Sequence, residues 1–280
     1  MTTVIVGGGL AGLAAAVALT AKGERVTVLE SRSFCGGRAY SYQAPVVGDT
    51  IDNGQHVMLG CYHATLKYLS LIGARDLLDI QPQLAITFLQ DADHVSKLHC
   101  PRLPSPLHLL VGILSFCGMG DAWSLFRHRR DLLSDPASHY LDWDQMSCQE
   151  WLQRNRISHD GVQKFWEPLI YAVMNDAPAR VSAAPFLAAL HRIVSGSPED
   201  ASLAVSRVGL SDLFVAPALR FLQERGSVVR TGVTVSKISF QDDRIVSLST
   251  VSEENIPVTK IIFAIPPRNL EKLLADVPGT

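Results

Sequence analysis

Thr3-Val4-Ile5-Val6-Gly7-Gly8-Gly9-Leu10-Ala11-Gly12 opens a run that continues through an apolar stretch to Arg25-Val26-Thr27-Val28-Leu29-Glu30. Residues 3–6 are mostly apolar and β-branched, as a strand buried on both faces of a parallel sheet requires. Leu10, Leu13, Ala14, Val17 and Ala18 then recur at helical spacing, and Gly23 is placed to end the helix. Residues 25–29 read as a second strand, closing on the Glu30 carboxylate. The pattern predicts strand, glycine turn, helix and second parallel strand.

Each residue type in the turn has a physical task. Gly7 permits a tight turn, Gly9 lets backbone approach a pyrophosphate, and Gly12 lets helix and strand pack closely. Amides of the first helical turn, Leu10 and Ala11 among them, have no acceptor within the helix and sit at its positive end, so they suit phosphate oxygens. Glu30, with Ser31 beside it, is placed to accept hydrogen bonds from the ribose hydroxyls of an adenosine. Its charge disfavours a 2′-phosphate, although Arg32 leaves NADP open. G-x-G-x-x-G alone is a weak signal; here strand, helix, second strand and acid all accompany it and predict a dinucleotide site.

Gly36-Gly37-Arg38 follows, and further on Asp52-Asn53-Gly54-Gln55-His56. A second glycine pair with a fixed cation suits a second approach to the pyrophosphate, with Arg38 as countercharge. Taken alone, Arg38 reads as an ordinary surface arginine. His56 suits either a proton relay or a structural hydrogen bond.

Glu30 followed by Gly36-Gly37-Arg38 resembles the opening of the amine oxidase and phytoene desaturase superfamily of FAD enzymes. Ile51-Asp52-Asn53-Gly54-Gln55-His56 and Leu103-Pro104-Ser105-Pro106-Leu107-His108-Leu109-Leu110 resemble a narrower group, the squalene-associated FAD-dependent desaturases or hydroxysqualene dehydroxylases. Trp166-Glu167-Pro168-Leu169, with Ala172 and Asn175, and Gly209-Leu210, leading to Phe214 and Pro217, resemble the same group. The resemblance implies FAD, with Gly7, Gly9, Leu10, Ala11, Gly12, Glu30, Ser31, Gly37, Arg38, Gly54, Gln55 and His56 around it and the Val235 backbone at the adenine. It implies an α/β fold: a Rossmann-like FAD-binding domain of the glutathione-reductase type, interrupted by a mainly helical substrate domain. The expected division is 1–79 and 206–280 for the FAD domain and 80–205 for the substrate domain. Patterning within it predicts a helix over 62–73, a strand over 84–89, a helix kinked or split near Pro217 and three short strands after it, with a turn at Gln241-Asp242-Asp243-Arg244. Family members close the FAD domain with a glycine- and aspartate-containing segment; none is found before Thr280, which implies a fragment of a longer protein or a truncated product.

The implied chemistry is reductive dehydroxylation of hydroxysqualene to squalene, feeding hopanoid or related triterpene synthesis. A carotenoid-type desaturase and an amine oxidase are alternatives, as is a truncated, non-catalytic FAD-binding remnant. The sequence identifies neither a catalytic acid nor the electron donor.

Composition narrows the remaining choices. Of the 280 residues, 47 % are apolar and 19 % charged, which predicts a packed core rather than disorder. A formal net charge of −2 with scattered Lys and Arg gives no case for nucleic acid. Five cysteines stand far apart with no C-x-x-C or zinc-ligand spacing, so reduced thiols in a cytoplasmic protein are expected, with no metal. The apolar run 4–19 has no basic residues before it, unlike a secretory signal. Residues 103–120 are strongly apolar but short of the roughly 20 needed for a span. A buried helix is expected there, against the alternative of a surface helix contacting a membrane, where Arg127, His128, Arg129 and Arg130 would meet headgroups. Asp142-Trp143-Asp144 reads as a solvated turn rather than a metal site, and Trp166 and Tyr171 as core or tunnel lining.

Overall fold

The computed structural model describes residues 3–46, 48–54, 56–89, 95–127, 129–241 and 244–275. The chain divides into two compact units, one of Met1–His56, His63–Asp79 and Val205–Thr280, the other of Val57–Tyr62 and Ile80–Ala204. Residues 57–62, grouped by the sequence with the first segment, belong to the second unit.

Unit one is built on a parallel sheet in the order Val228–Arg230, Val26–Leu29, Thr3–Val6, Lys260–Phe263. Ile5 stands opposite Val28 on one side and Ile262 on the other. Helix Leu10–Thr20 joins the two central strands and packs on both, with Leu13 and Val17 fully buried. Burying side chains of that size contributes about 1.5–3 kcal/mol each. A second, antiparallel sheet of Val235–Gln241, Arg244–Thr250 and Asn255–Pro257 shares an apolar core with the first through Val4, Leu29, Val235 and Leu248. Five strands thus follow residue 206 among the described residues, where three were expected. Val228–Arg230 and Asn255–Pro257 are too short for alternation to reveal them. The centre of the turn expected at 241–244 lies outside the described residues.

Two helices begin with a widened turn. Ser211–Val215 is π-helical and runs into Ala216–Glu224; Val162–Trp166 is π-helical and runs into Glu167–Met174. In both, proline (Pro217, Pro168) is the second residue of the helix that follows. A proline has no N–H for the carbonyl four residues back and its ring crowds that carbonyl. The wide turn relieves this: Ala216 N–H donates to Ser211 O and Glu167 N–H to Val162 O. The break expected near Pro217 is this turn.

Unit two opens with a hairpin, Ala85–Leu89 against Val95–His99, of which the sequence suggested only the first strand. The rest is mainly helical around a core that includes Trp151, Trp166, Ile170, Phe186 and Leu187. Asp142-Trp143-Asp144 does not form a turn. It ends helix Pro136–Asp144, with the Trp143 ring buried and Asp144 accepting from Ser182 Oγ at 2.6 Å. Residues 103–120 also depart from expectation: helix Leu107–Cys117 buries only His108 and Gly112 fully. No helix among the described residues is long and apolar enough to cross a membrane.

The five cysteines are free thiols. Burial pushes Cys35, Cys100, Cys117 and Cys148 up from 9.0 to about 11, with nearby carboxylates adding to the rise at Cys35 and Cys117. The folded chain should therefore resist iodoacetamide at pH 8 at these four positions and lose that protection in urea, as counted by mass spectrometry. Between about pH 9 and 11 the unfolded chain releases thiol protons that the folded chain keeps, so stability should fall as pH rises through that window. Urea midpoints that stay flat from pH 9 to 11 would contradict it.

Candidate functional site

The glycine turn of unit one leaves an open cradle at the start of helix Leu10–Thr20. Gly7 has φ +111°, and a Cβ there would lie 2.4 Å from Ala264 O. A Cβ on Gly12 would come within 1.9 Å of Gly7 O, so helix and strand touch through hydrogen atoms alone. Gly9 differs: its φ is −70°, and an added Cβ meets only Gly37 Cα, at 3.8 Å. Nothing among the described residues requires glycine there, but a ligand in front of it would. Leu13 N–H already bonds Gly9 O at 2.9 Å. The amides of Leu10, Ala11 and Gly12 have no acceptor among the described residues and point the helix's positive end at that space.

Glu30 is buried, and its carboxylate holds the turn in shape. Oε2 accepts from Gly8 N–H at 2.7 Å, while Oε1 accepts from Arg32 N–H at 2.8 Å and Ser31 Oγ at 3.2 Å. An ionised carboxylate offers roughly four lone-pair sites. Three are taken, which leaves capacity on Oε2. Val233 N–H donates to Glu30 O and Gly232 N–H to Arg32 O, drawing the start of strand Val235–Gln241 alongside; Val235 itself is buried in the core between the sheets.

The second glycine pair does something the sequence did not suggest. Gly36 N–H donates to Gly8 O at 2.8 Å, and a Cβ on Gly37 would lie 3.1 Å from Gly9 Cα. The pair presses against the first glycine turn and fixes the wall of the cradle. Arg38 is exposed, with no ion pair among the described residues, and its carbonyl accepts from Asn53 Nδ2 at 3.0 Å.

Sequence reasoning also missed a clasp. Asp52 Oδ1 accepts from Ser41 Oγ (2.7 Å) and Leu210 N–H (2.8 Å). Ser41 N–H donates to Ser211 Oγ, and Ser211 N–H to Ser41 Oγ. Together they tie the hairpin Ser41–Gln43/Thr50–Asp52 to the turn that starts at Ser211. No local pattern links position 41 to 211. Beyond the clasp, Gly54 (φ +90°) and His56 are exposed, and His56 Nδ1 lies 3.1 Å from Gly54 O. Gln55 lies outside the described residues.

Unit two holds a cavity of about 240 Å³. Leu84, Leu109, Ile113, Phe165, Trp166 and Leu190 are among its walls, and Arg129 is the one charged residue of the described lining. Trp166 meets Trp151, Phe165 and Phe186 edge-on, at centroid distances of 5.6, 5.1 and 6.3 Å. Tyr171 is not part of this cavity. It is half exposed and borders a separate surface cleft with Leu152 and Val162.

The sequence profile of the flavin-containing amine oxidoreductases matches residues 10–278. The chain belongs to this family. Among curated relatives within or near it, hydroxysqualene dehydroxylase of Zymomonas mobilis is 29 % identical over 98 % of this chain and 64 % of its own length. Zeta-carotene desaturase of Solanum lycopersicum is 29 % identical over 70 % of this chain and 37 % of its own length. An oxidoreductase from Methanosarcina mazei superposes with TM-score 0.70 at 15 % identity, covering 99 % of this chain and 62 % of that one. The chain therefore spans a little under two thirds of the first relative's length. The likeness to the Methanosarcina structure bears out the α/β fold expected from the sequence, and family membership makes the cofactor a flavin.

Proposed function

We propose that this chain holds the cofactor and the substrate of an FAD-dependent oxidoreductase acting on an apolar isoprenoid, with hydroxysqualene, converted to squalene, as the substrate. The observation that carries the substrate class is the cavity of unit two, apolar on every described wall except at Arg129. Such walls bind isoprenoid carbon by exclusion from water, at about 25 cal/mol per Å² buried. They offer no carboxylate to a substrate ammonium, which speaks against amine oxidation. At about 240 Å³ the cavity is smaller than the roughly 300–1,000 Å³ usual for ligands, so it fits a stretch of a long chain rather than all of one.

FAD, rather than a mononucleotide flavin, suits unit one because the cradle offers two things only a dinucleotide uses. The unpaired amides of Leu10, Ala11 and Gly12 face the space in front of Gly9, where a pyrophosphate fits. The remaining capacity of Glu30 Oε2 fits a ribose hydroxyl. Ser31 keeps Glu30 oriented, Gly37 shapes the cradle wall, Arg38 supplies countercharge, and the Val235 backbone lies on the adenine side. Gly54, Gln55 and His56 are assigned to the flavin side of the same cofactor. The flavin, when bound, supplies the hydride chemistry. Residues 1–56, 63–79 and 205–280 then serve as the FAD-binding part and 57–62 and 80–204 as the substrate part, working on the cytoplasmic side of a membrane.

Similarity to hydroxysqualene dehydroxylases supports this substrate, and similarity to zeta-carotene desaturase supports polyene desaturation as a second reading. The test is a visible spectrum and FAD titration of the purified chain, followed by anaerobic incubation of the reduced protein with hydroxysqualene and of the oxidised protein, with a quinone as electron acceptor, with zeta-carotene or putrescine. FAD binding that weakens at least tenfold in Glu30→Ala, with squalene as product, is expected. Carotene turnover without squalene would transfer the proposal to the desaturases; no FAD binding would end it for this chain.

A further inference from the structure

Helices Leu107–Cys117 and Met119–Arg127 carry apolar side chains on faces that the core of unit two does not use. In the first, Leu109, Leu110 and Ile113 line the cavity, while Leu107, Val111 and Leu114 are 51, 40 and 41 % exposed. These last three are spaced i, i+4, i+7, one stripe of a helix. The second repeats the device: Met119, Trp123 and Phe126, at the same spacing, are 80, 60 and 44 % exposed. The Trp123 and Phe126 rings stack at 5.7 Å. Leu107 and Phe126, with the half-exposed Leu133, also border the cavity, so the exposed stripes are continuous with its mouth.

Charge is sorted across the second of these helices and the short helix Arg129–Leu133 that follows it. Asp121 is buried, accepting from Ser158 N–H and Oγ at 2.9 and 2.7 Å, and Asp131 accepts from Trp151 Nε1 at 3.2 Å. Both acids of this segment are thus turned inward. Arg127 and Arg129 are exposed and have no ion pair among the described residues. The Arg129 guanidinium lies 4.6 Å over the Phe126 ring, at the lip of the cavity. An outward face of Leu, Val, Met and Trp edged by arginine matches a bilayer with anionic headgroups: the aromatic and aliphatic groups enter the acyl boundary and the guanidinium groups stay with phosphate. A second copy of the chain fits less well, because a two-fold interface would set the same arginines against each other.

We infer that the exposed stripes of these two helices form a docking face for an anionic lipid bilayer, with the cavity mouth at its centre, so that an apolar substrate passes from lipid to protein without crossing water. The inference rests on the isoprenoid reading of the cavity for its purpose, but docking is measured separately. Trp143, Trp151 and Trp166 are buried and Trp123 is the remaining tryptophan of four, so a fluorescence change on docking reports the face itself. With vesicles of phosphatidylcholine and phosphatidylglycerol in equal parts, the chain should co-sediment and its emission should shift to the blue. Val111→Glu combined with Trp123→Ser, which leaves the cavity walls intact, should reduce the bound fraction at least tenfold with an unchanged circular dichroism spectrum. Arg127→Glu should weaken binding several-fold and reduce the preference for phosphatidylglycerol over phosphatidylcholine alone. Equal binding by wild type and the double variant, or none by either, overturns the proposal. So does a dimer in vesicle-free buffer that the double variant abolishes, since the face would then belong to a second copy. Uptake of hydroxysqualene from detergent micelles tests the cavity independently: its loss with vesicle binding intact would remove the substrate reading and leave the docking face.

Discussion

Gly9→Ala should fold like the wild type and lose its flavin, whereas Gly12→Ala should lose both. The two positions differ by three residues, and their surroundings differ completely. A methyl at Gly9 meets one atom, Gly37 Cα, at an ordinary 3.8 Å, and φ of −70° suits alanine. It intrudes only on the space in front of the first helical turn, where the amides of Leu10, Ala11 and Gly12 wait for an anion. The expected loss in FAD affinity is about 100-fold or more, roughly 2.7 kcal/mol. At Gly12 the methyl would sit 1.9 Å from Gly7 O, a backbone atom that can move only by displacing Thr3–Val6 from the centre of its sheet. Overpacking of that kind costs about 1–3 kcal/mol and sometimes more. Flavin fluorescence titration together with thermal melts followed by circular dichroism separates the cases. A Gly9→Ala chain that binds FAD as tightly as wild type would remove the pyrophosphate from the cradle.

Trp166→Ala should be the most damaging single truncation in unit two, at about 3–5 kcal/mol. The ring is 2 % exposed and sits edge-on among Trp151, Phe165 and Phe186, so its removal strips contacts from three other aromatics at once. Because Trp166 also walls the cavity, the void it leaves joins a space that is already present rather than collapsing. Trp166→Phe should recover more than half of the loss. Urea unfolding, followed by alkylation of Cys100 and Cys148 as reporters of this unit, gives the measurement. A penalty under about 1 kcal/mol would mean the neighbouring rings repack and the cavity wall is soft.

How far the sequence could be read depended on how local each feature is. The glycine turn, its helix and Glu30 lie within one stretch of chain, and every residue type there has a steric or electrostatic reason that needs no distant partner. Gly36 carried only half its meaning: the pair was legible as glycine-requiring, but not that Gly36 N–H would bond Gly8 O. The Ser41–Asp52–Ser211 clasp was invisible because hydroxyl and carboxylate side chains at the ends of short elements look the same in sequence whether they meet each other or water. Helix Leu107–Cys117 misled for a related reason. Apolar periodicity says which side chains prefer to leave water, and it reads alike for a core, a cavity wall and an outward stripe. Trp143 hid the opposite way, its burial masked by an aspartate on either side.

The parallel pairing of Thr3–Val6 with Lys260–Phe263 also sets a timetable for biosynthesis. Lys260–Phe263 follows Thr3–Val6 by 257 residues, so the strand that leads into the glycine turn waits for one of its two neighbours long after it is made. At about 5–20 residues per second, roughly 13–50 s separate the two. Unit two, continuous from Ile80 to Ala204 apart from the short piece Val57–Tyr62, has its whole sequence available well before that. The order of emergence is therefore the reverse of the order of completion: the substrate half can mature while the nucleotide half still has an open edge, and a nascent chain halted before residue 260 would carry a bare β-edge along Thr3–Val6, where a chaperone has most reason to bind.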